Sequence, residues 1–380
     1  MNTEFTVRDH NLTLLRYPKV SNETLQAWDA GDEFLINHVE DLGLPEQQNI
    51  LIINDNFGAL SCWFSQHHNV TMMTDSYISH RGTLKNLQRN LCNRISFINC
   101  LDAIPENIDL VLLKIPKSNR LLIWQLHQLR IQLPSNCPVI SVNKVRDIHT
   151  STLNHFEKYL GTTTTSLAKK KNRLVFSKPD VEQIHHVDDL TRWPVEGEEI
   201  TLNNHANVYS GDNLDLGARF LLKHIPQEDD LRHIIDLGCG NGVLGIKAAQ
   251  LNPEARITCI DESYMAVESA TLNLEENLGP DRRFQVIANN CLDGFKEHSC
   301  YLILCNPPFH QQQAITDHIA WQMFCDAKQV LAQGGSIMVI GNNHLEYDQK
   351  LNRLFGEENV NIVARNSKFV ILKATKATKT

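Results

Sequence analysis

The sequence predicts an α/β protein built from two doubly wound copies in tandem. Three observations carry this. Short apolar runs alternate with helical patterns, the pattern recurs once along the chain, and a polar, non-periodic stretch separates the two occurrences. At 380 residues the chain suits two domains of about 150–200 residues each.

The elements follow in order. In the first half "NILIIN" (49–54), "VTMMTD" (70–75), "IDLVLLK" (108–114) and "PVISVN" (138–143) read as strands. In the second half the strands are "HIIDLG" (233–238), "RITCID" (256–261), "FQVIAN" (284–289), "YLILCN" (301–306) and "SIMVIG" (336–341). Apolar runs of this length between helices indicate buried parallel strands joined by helical crossovers. The halves also superpose in sequence. "TDSYISHRGTLKNLQRN" (74–90) matches "DESYMAVESATLNLEEN" (261–277) at an offset of 187, with Tyr77 over Tyr264, Asn86 over Asn273 and Asn90 over Asn277. "FEKYLG" (156–161) falls on "LNRLFG" (351–356), and "RLVFSK" (173–178) on "KFVILK" (368–373), both at an offset of 195. Several matches in order, with loop-sized drift, indicate a tandem duplication. Between the copies, "KPDVEQIHHVDDLTRWPVEGEE" (178–199) has the composition of a linker. The expected organisation is therefore a first domain over 1–180, a linker over 181–199 and a second domain over 200–380.

Composition narrows the function. Hydrophobic content of 42% with 21% charged residues is that of a globular protein. No apolar run approaches membrane-spanning length, so no membrane partner is expected. The N-terminus has neither the basic nor the apolar region of a signal peptide. Ten cysteines are scattered without any CxxC pair, so neither a metal nor a disulfide framework is expected, and the cytoplasm is the natural compartment. The His185–His186 pair reads as a solvated part of the linker. The net charge of −8 argues at first sight against a nucleic-acid partner. It is uneven, however: residues 1–193 carry 20 basic and 20 acidic side chains, residues 194–380 carry 16 and 24. The first half is the better candidate to meet an anion.

"IIDLGCGNGVLG" (234–245) reads as a strand ending in Asp236, then Gly238, Gly240 and Gly242, then a helix start. Glycines here permit a tight turn and a close ligand. The next strand ends at Asp261, placed to accept bonds from ribose hydroxyls. Gly240, Gly242 and Gly245 satisfy the G-x-G-x-x-G spacing, which on its own allows a dinucleotide. The Asp-x-Gly-x-Gly-x-Gly form suits instead a ligand with an ammonium group, S-adenosylmethionine, with Asn290 as an adenine-side contact.

"LILCNPPFHQQQ" (302–313) ends the fourth strand of the same half. The exocyclic amine of a base is a poor nucleophile because its lone pair is delocalised into the ring. The Asn306 side-chain oxygen and the Pro307 carbonyl can accept from its two N–H groups. Pro307 and Pro308 remove competing donors and fix the backbone, and Phe309 can stack on the base. The first copy lacks all of this. With Gly58 over Gly242, Asp236 becomes Ile52, Gly238 becomes Asn54 and Gly240 becomes Asn56; with Pro116 over Pro308, Asn306 becomes Lys114 and Phe309 becomes Lys117. What the first copy does offer is basic. Residues 144–178 hold eight Lys and Arg against two acids, so Lys169, Lys170, Lys171 and Arg173 are the candidate RNA-phosphate contacts.

With these residues quoted, the chain resembles the tandem-domain ribosomal RNA guanine-N2 methyltransferases over essentially its whole length. The resemblance implies two Rossmann-like, class I methyltransferase domains. The N-terminal one is degenerate and assists substrate binding, whereas the C-terminal one binds S-adenosyl-L-methionine. Two bacterial members compete, one acting on small-subunit and one on large-subunit rRNA. "NPPFHQQ", "RDIHTSTL", "FEKYLGTTTTSLAKKK", "NNHANVYS" and "LDLGARF" look like the large-subunit enzyme. That implies N2-methylation of guanine 1835 of 23S rRNA, in the cytoplasm, with no metal and no required protein partner. It also implies a cofactor-side role for "NVYSGDNLDLGAR"; on the sequence alone Asp215, Gly217 and Arg219 serve equally as the cap and first turn of a packing helix. The same frame would serve a small-subunit guanine, an adenine N6 in DNA or a glutamine amide. A non-catalytic RNA-binding scaffold is the reading from another class, and the intact Asp236, Gly238, Asp261 and Asn306 set speaks against it.

Overall fold

The computed structural model describes residues 1–182, 184–308 and 313–378, with side chains of the helix after residue 312 described from Asp317 onward. The chain divides into two compact units, Met1–Asp188 and Asp189–Thr380.

In the first unit a hairpin of β1 (Glu4–Val7) and β2 (His10–Thr13) precedes α1 (Ala30–Asp41). There follow β3 (Asn49–Ile53), α2 (Ala59–Phe64), β4 (Asn69–Met73), α3 (Tyr77–Arg89), β5 (Ser96–Ile98), β6 (Leu110–Lys114), α4 (Asn119–Gln132), β7 (Val139–Lys144), α5 (Thr150–Tyr159), β8 (Thr163–Thr165) and β9 (Asn172–Ser177). The second unit repeats the plan. A hairpin of β10 (Thr191–Pro194) and β11 (Thr201–Asn204) precedes α6 (Leu216–Leu222), β12 (His233–Leu237), α7 (Val243–Leu251), β13 (Arg256–Asp261) and α8 (Tyr264–Leu278). Then come β14 (Phe284–Ala288), β15 (Cys300–Cys305), α9 (Gln313–Val330), β16 (Leu331–Asn342), α10 (Tyr347–Phe355), β17 (Val360–Arg365) and β18 (Phe369–Thr375).

Each unit has one sheet of seven strands, in the orders β5-β4-β3-β6-β7-β9-β8 and β14-β13-β12-β15-β16-β18-β17. The first five strands of each run parallel, and the closing hairpin is antiparallel. Alternate side chains of a buried strand serve opposite faces. In the second unit Ile234, Cys259, Leu302, Leu304, Met338 and Ile340 pack under α6, α7 and α8. Their neighbours Ile235, Ile260, Ile303, Cys305, Ile337 and Val339 pack under α9 and α10. The chain leaves β12 towards β13 on one side and returns to β15 on the other. The switch point therefore lies between the C-terminal ends of β12 and β15, where open α/β sheets bind ligands.

The duplication extends to single hydrogen bonds. Asn86 accepts from the Leu15 amide at 3.1 Å and donates to the Leu15 and Phe57 carbonyls at 2.9 and 2.7 Å. Asn273 accepts from the Asn203 amide at 2.7 Å and donates to the Asn203 and Asn241 carbonyls at 2.9 and 2.8 Å. Asn90 and Asn277 clamp the strands β2 and β11 in the same way, through the amide and carbonyl of Thr13 and of Thr201. These paired asparagines tie the entry hairpin of each unit to its long helix.

Two expectations are corrected. The second part of the stretch expected as a linker, 181–199, is the strand β10, paired from Thr191↔Asn204 to Pro194↔Thr201, and its Val195 lies in the core. The last sequence match also shifts by two residues. Sheet register places Leu174 opposite Val142 and Ile371 opposite Ile340, so the offset there is 197 rather than 195.

Candidate active site

The glycine turn joins β12 to α7 at the switch point. The Gly238 and Cys239 amides donate to the Ile260 carbonyl at 2.8 and 2.9 Å, which fastens the turn to the neighbouring strand. Gly238, Gly240 and Gly242 all have positive φ, at 73°, 53° and 83°. A Cβ on Gly240 would meet nothing within 4 Å, so the turn presents bare backbone to open space. Gly245 has a different reason to be glycine. A Cβ there would lie 2.7 Å from Cys259 Sγ, so it permits the close packing of α7 on β13.

Asp236 lies beneath the turn and is 1% exposed. Its Oδ2 accepts from the Gly245 amide at 2.9 Å, while Oδ1 is buried with no partner. Burial pushes its pKa up to about 7, with the Gly245 hydrogen bond opposing and Asp261 adding slightly. Asp261, at the end of β13, accepts from the Gly240 amide at 2.9 Å and the Ser263 amide at 3.0 Å. The Glu262 amide also donates to this carboxyl, and burial raises it too. Asn290, just past β14, is buried, and its Oδ1 accepts from Gln322 of α9 at 3.1 Å.

Asn306 follows β15. Its Nδ2 donates to Asp215 Oδ2 at 3.0 Å, and its Oδ1 is buried without a partner. Asp215 caps α6, accepting from the Ala218 amide at 2.9 Å, and Tyr209 donates to its Oδ1 at 3.4 Å. A pocket of about 500 Å³ opens here, lined by Tyr209, Leu214, Asp215, Arg219, Lys368 and Phe369. Pro307 is buried and Pro308 exposed; Phe309 lies outside the described residues. The structure thus brings Asp236, Gly238, Gly240, Gly242, Asp261, Asn290 and Asn306 to one edge of one sheet.

In the first unit the register shows which residues occupy the equivalent positions. Ile53 pairs with Leu113 as Leu237 pairs with Cys305, so Lys114 stands in the place of Asn306. Lys114 is ion-paired to Asp29 at 3.0 Å and Asp32 at 2.7 Å. Asn54 keeps the positive φ of Gly238, at 64°, but its amide fills the turn by bonding to Gln125 and the Lys114 carbonyl. Thr74 stands where Asp261 would be.

The basic candidates are differently placed. Lys170 is ion-paired to Glu33 at 2.9 Å, Lys169 lies over the Phe34 ring at 5.8 Å, Lys171 is exposed, and Arg173 is half-buried within β9. Among the described residues no group of three or more His, Cys, Asp or Glu is arranged to hold a metal, and no helix is long and apolar enough to cross a membrane.

Residues 2–181 match the RLMG N-terminal domain, and residues 199–373 match the methyltransferase small domain. The ribosomal RNA large subunit methyltransferase G of Vibrio atlanticus is 66% identical over 376 residues, covering 99% of this chain and 98% of its own. The chain belongs to the ribosomal RNA large subunit methyltransferase G family. The relative from Aliivibrio salmonicida is 65% identical across the full length of both chains. Among solved structures, the T. thermophilus 16S rRNA N2 G1207 methyltransferase in complex with AdoMet and guanosine covers 98% of this chain with a TM-score of 0.76. At 17% identity that likeness establishes a shared tandem fold. As in the methyltransferase G relatives, the match spans both units, the degenerate one included.

The Asp215–Asn306 link, the Gln322–Asn290 bond and the placing of Lys368 and Phe369 at the pocket were not legible in the motifs. A signal for the first did exist. "WDAGDEF" (28–34) and "LDLGARF" (214–220) align with Asp29 over Asp215 and Gly31 over Gly217. Both aspartates cap a helix and reach the residue at the C-terminal end of the fourth parallel strand, Lys114 in one unit and Asn306 in the other.

Proposed function

We propose that this enzyme transfers a methyl group from S-adenosyl-L-methionine to N2 of a guanine in large-subunit (23S) rRNA, guanine 1835 being the position implied by resemblance. The observation that carries the reading is Asn306 Oδ1. It is a buried acceptor without a hydrogen-bond partner at the switch point, in a side chain whose other end is already anchored.

The chain's residues fit the cofactor. The bare turn at Gly240 leaves room for a ligand, and the unpartnered Asp236 Oδ1 suits a cationic amino group. Asp261, which takes three backbone amides, retains acceptor capacity for a ribose hydroxyl, and Asn290 lines the adenine side. When bound, S-adenosylmethionine supplies an electrophilic methyl on its sulfonium. The protein's share is to hold the amine. Asn306 Oδ1 and the Pro307 carbonyl accept its two N–H groups and draw the nitrogen out of conjugation, and Pro307 and Pro308 offer no competing N–H. Phe309 is the proposed stacking plate. Positioning accounts for the rate, without a covalent enzyme intermediate. In the first unit Lys169, Lys170, Lys171 and Arg173 are the proposed contacts for RNA phosphates, of which Lys169 and Lys171 are exposed and outside any ion pair given above. The working compartment is the cytoplasm, where ribosomal RNA is found.

The test is transfer of labelled methyl to purified large- and small-subunit rRNA, with digestion to nucleosides. Label recovered as N2-methylguanine from the large-subunit RNA is expected. Label confined to small-subunit RNA would move the target to the sister activity, and label in neither would exclude both.

A further inference from the structure

Asn306 can work only if its amide points the right way round. Rotated by half a turn, the side chain has nearly the same shape but would present N–H groups to an amine that itself brings N–H groups. Nothing in Asn-Pro-Pro prevents that rotation. What prevents it is Asp215. A carboxylate oxygen only accepts, so the group facing Asp215 Oδ2 at 3.0 Å must be Asn306 Nδ2, and Oδ1 is thereby left as the buried, unpartnered acceptor. Asp215 is itself held: Oδ2 also takes the Ala218 amide at 2.9 Å, and Oδ1 takes the Tyr209 hydroxyl at 3.4 Å. Gly217 lies against the same carboxylate: a Cβ there would crowd Asp215 Oδ2 at 3.0 Å and make ordinary contact with Asn306 Oδ1 at 3.7 Å.

The degenerate unit shows that the contact is built into the fold. Asp29 caps α1 as Asp215 caps α6, and it reaches the residue at the Asn306 position, now Lys114. There the carboxylate meets an ammonium, which has no acceptor to aim. Only the second copy pairs the aspartate with a side chain that has two different ends.

We propose that Asp215 is the positioning residue of the methyl transfer, fixing the Asn306 amide with its oxygen towards the substrate amine. This rests on the reading of Asn306 given above. A mere helix cap would behave differently, and serine separates the two roles. Asp215→Ser keeps an N-cap acceptor for Ala218 but lacks the reach and charge to hold Asn306. Asp215→Asn keeps a neutral oxygen for both donors.

The experiment compares kcat, KM for rRNA, cofactor affinity and thermal midpoint in these variants. Asp215→Ser is expected to melt near the wild type and bind cofactor normally. Its kcat should fall about 10–100-fold, the range typical of partners that orient a functional side chain, with KM little changed. Asp215→Asn should fall between the two. In an Asn306→Ala background Asp215→Ser should cost nothing more, because the group it orients is gone. Wild-type kcat in both Asp215→Ser and Asp215→Asn, with Asn306→Ala inactive, would overturn the positioning role alone. Full activity in Asn306→Ala would overturn the reading of Asn306 and this inference with it.

Discussion

Asp236 places an ionisable carboxyl where water is excluded, with a single backbone N–H to satisfy it. Its folded pKa of about 7 lies above the ordinary 3.8. Between those values the folded chain holds a proton that the unfolded chain releases. This group's contribution to stability is therefore most favourable at low pH and declines as pH rises through about 7. Asp236→Asn, a neutral copy of the protonated form, should melt above the wild type near pH 8, and the gap should close towards pH 4, as thermal denaturation across pH will report. A cationic ligand favours the ionised carboxylate, so cofactor affinity should rise with pH through about 7 in the wild type. In Asp236→Asn calorimetric titration should find weaker binding with that dependence flattened. A wild-type affinity independent of pH would place the amino group elsewhere.

The asparagine clamps set the scale of the elements. Asn273 serves the Asn203 backbone and the Asn241 carbonyl inside the glycine turn, so it couples the entry hairpin, α8 and the cofactor edge. Asn86 makes the same bonds around Leu15 and Phe57, where no cofactor edge survives. Each truncation strands buried backbone groups at about 1–3 kcal/mol apiece. Asn273→Ala should cost several kcal/mol, about 3 or more, and also weaken cofactor binding. Asn86→Ala should cost a similar amount while leaving cofactor affinity unchanged, and chemical denaturation beside calorimetry distinguishes them. These asparagines were visible in the sequence as matched positions, but their task was not, because it depends on β2 and β11. Those hairpin strands are only four residues long and partly polar, and give no apolar run to read. The inner parallel strands of the second unit, β12, β13, β15 and β16, announced themselves because both faces are covered, and the edge strand β14 because its five residues still make an apolar run. β5, with three residues and none fully buried, did not. The catalytic edge was legible for a related reason: glycines at positive φ and paired prolines leave marks on the sequence. The Asp215–Asn306 bond spans 91 residues, and its one trace in the sequence is the recurrence of Asp-x-Gly in both copies, which does not say what the aspartate touches.

Across the whole molecule the two copies divide the labour. The first kept the sheet, the helices and the clamps, while Lys114, Asn54 and Thr74 stand where the second has Asn306, Gly238 and Asp261, the proposed catalytic and cofactor groups. One cofactor per chain is therefore expected on titration. Lys169 and Lys171 should contribute to RNA binding through phosphate charge. Reversing both to Glu should raise KM for rRNA, reduce the salt slope of binding by about 2 and leave cofactor affinity alone. An unchanged salt slope would assign RNA contact to another surface. The measurement that tests the central claim most directly is single-turnover methyl transfer by Asn306→Ala, with cofactor affinity determined on the same preparation. If the unpartnered oxygen of Asn306 holds the target amine, affinity stays within about twofold and transfer falls by about 100-fold or more. Transfer at the wild-type rate with cofactor bound would contradict the account.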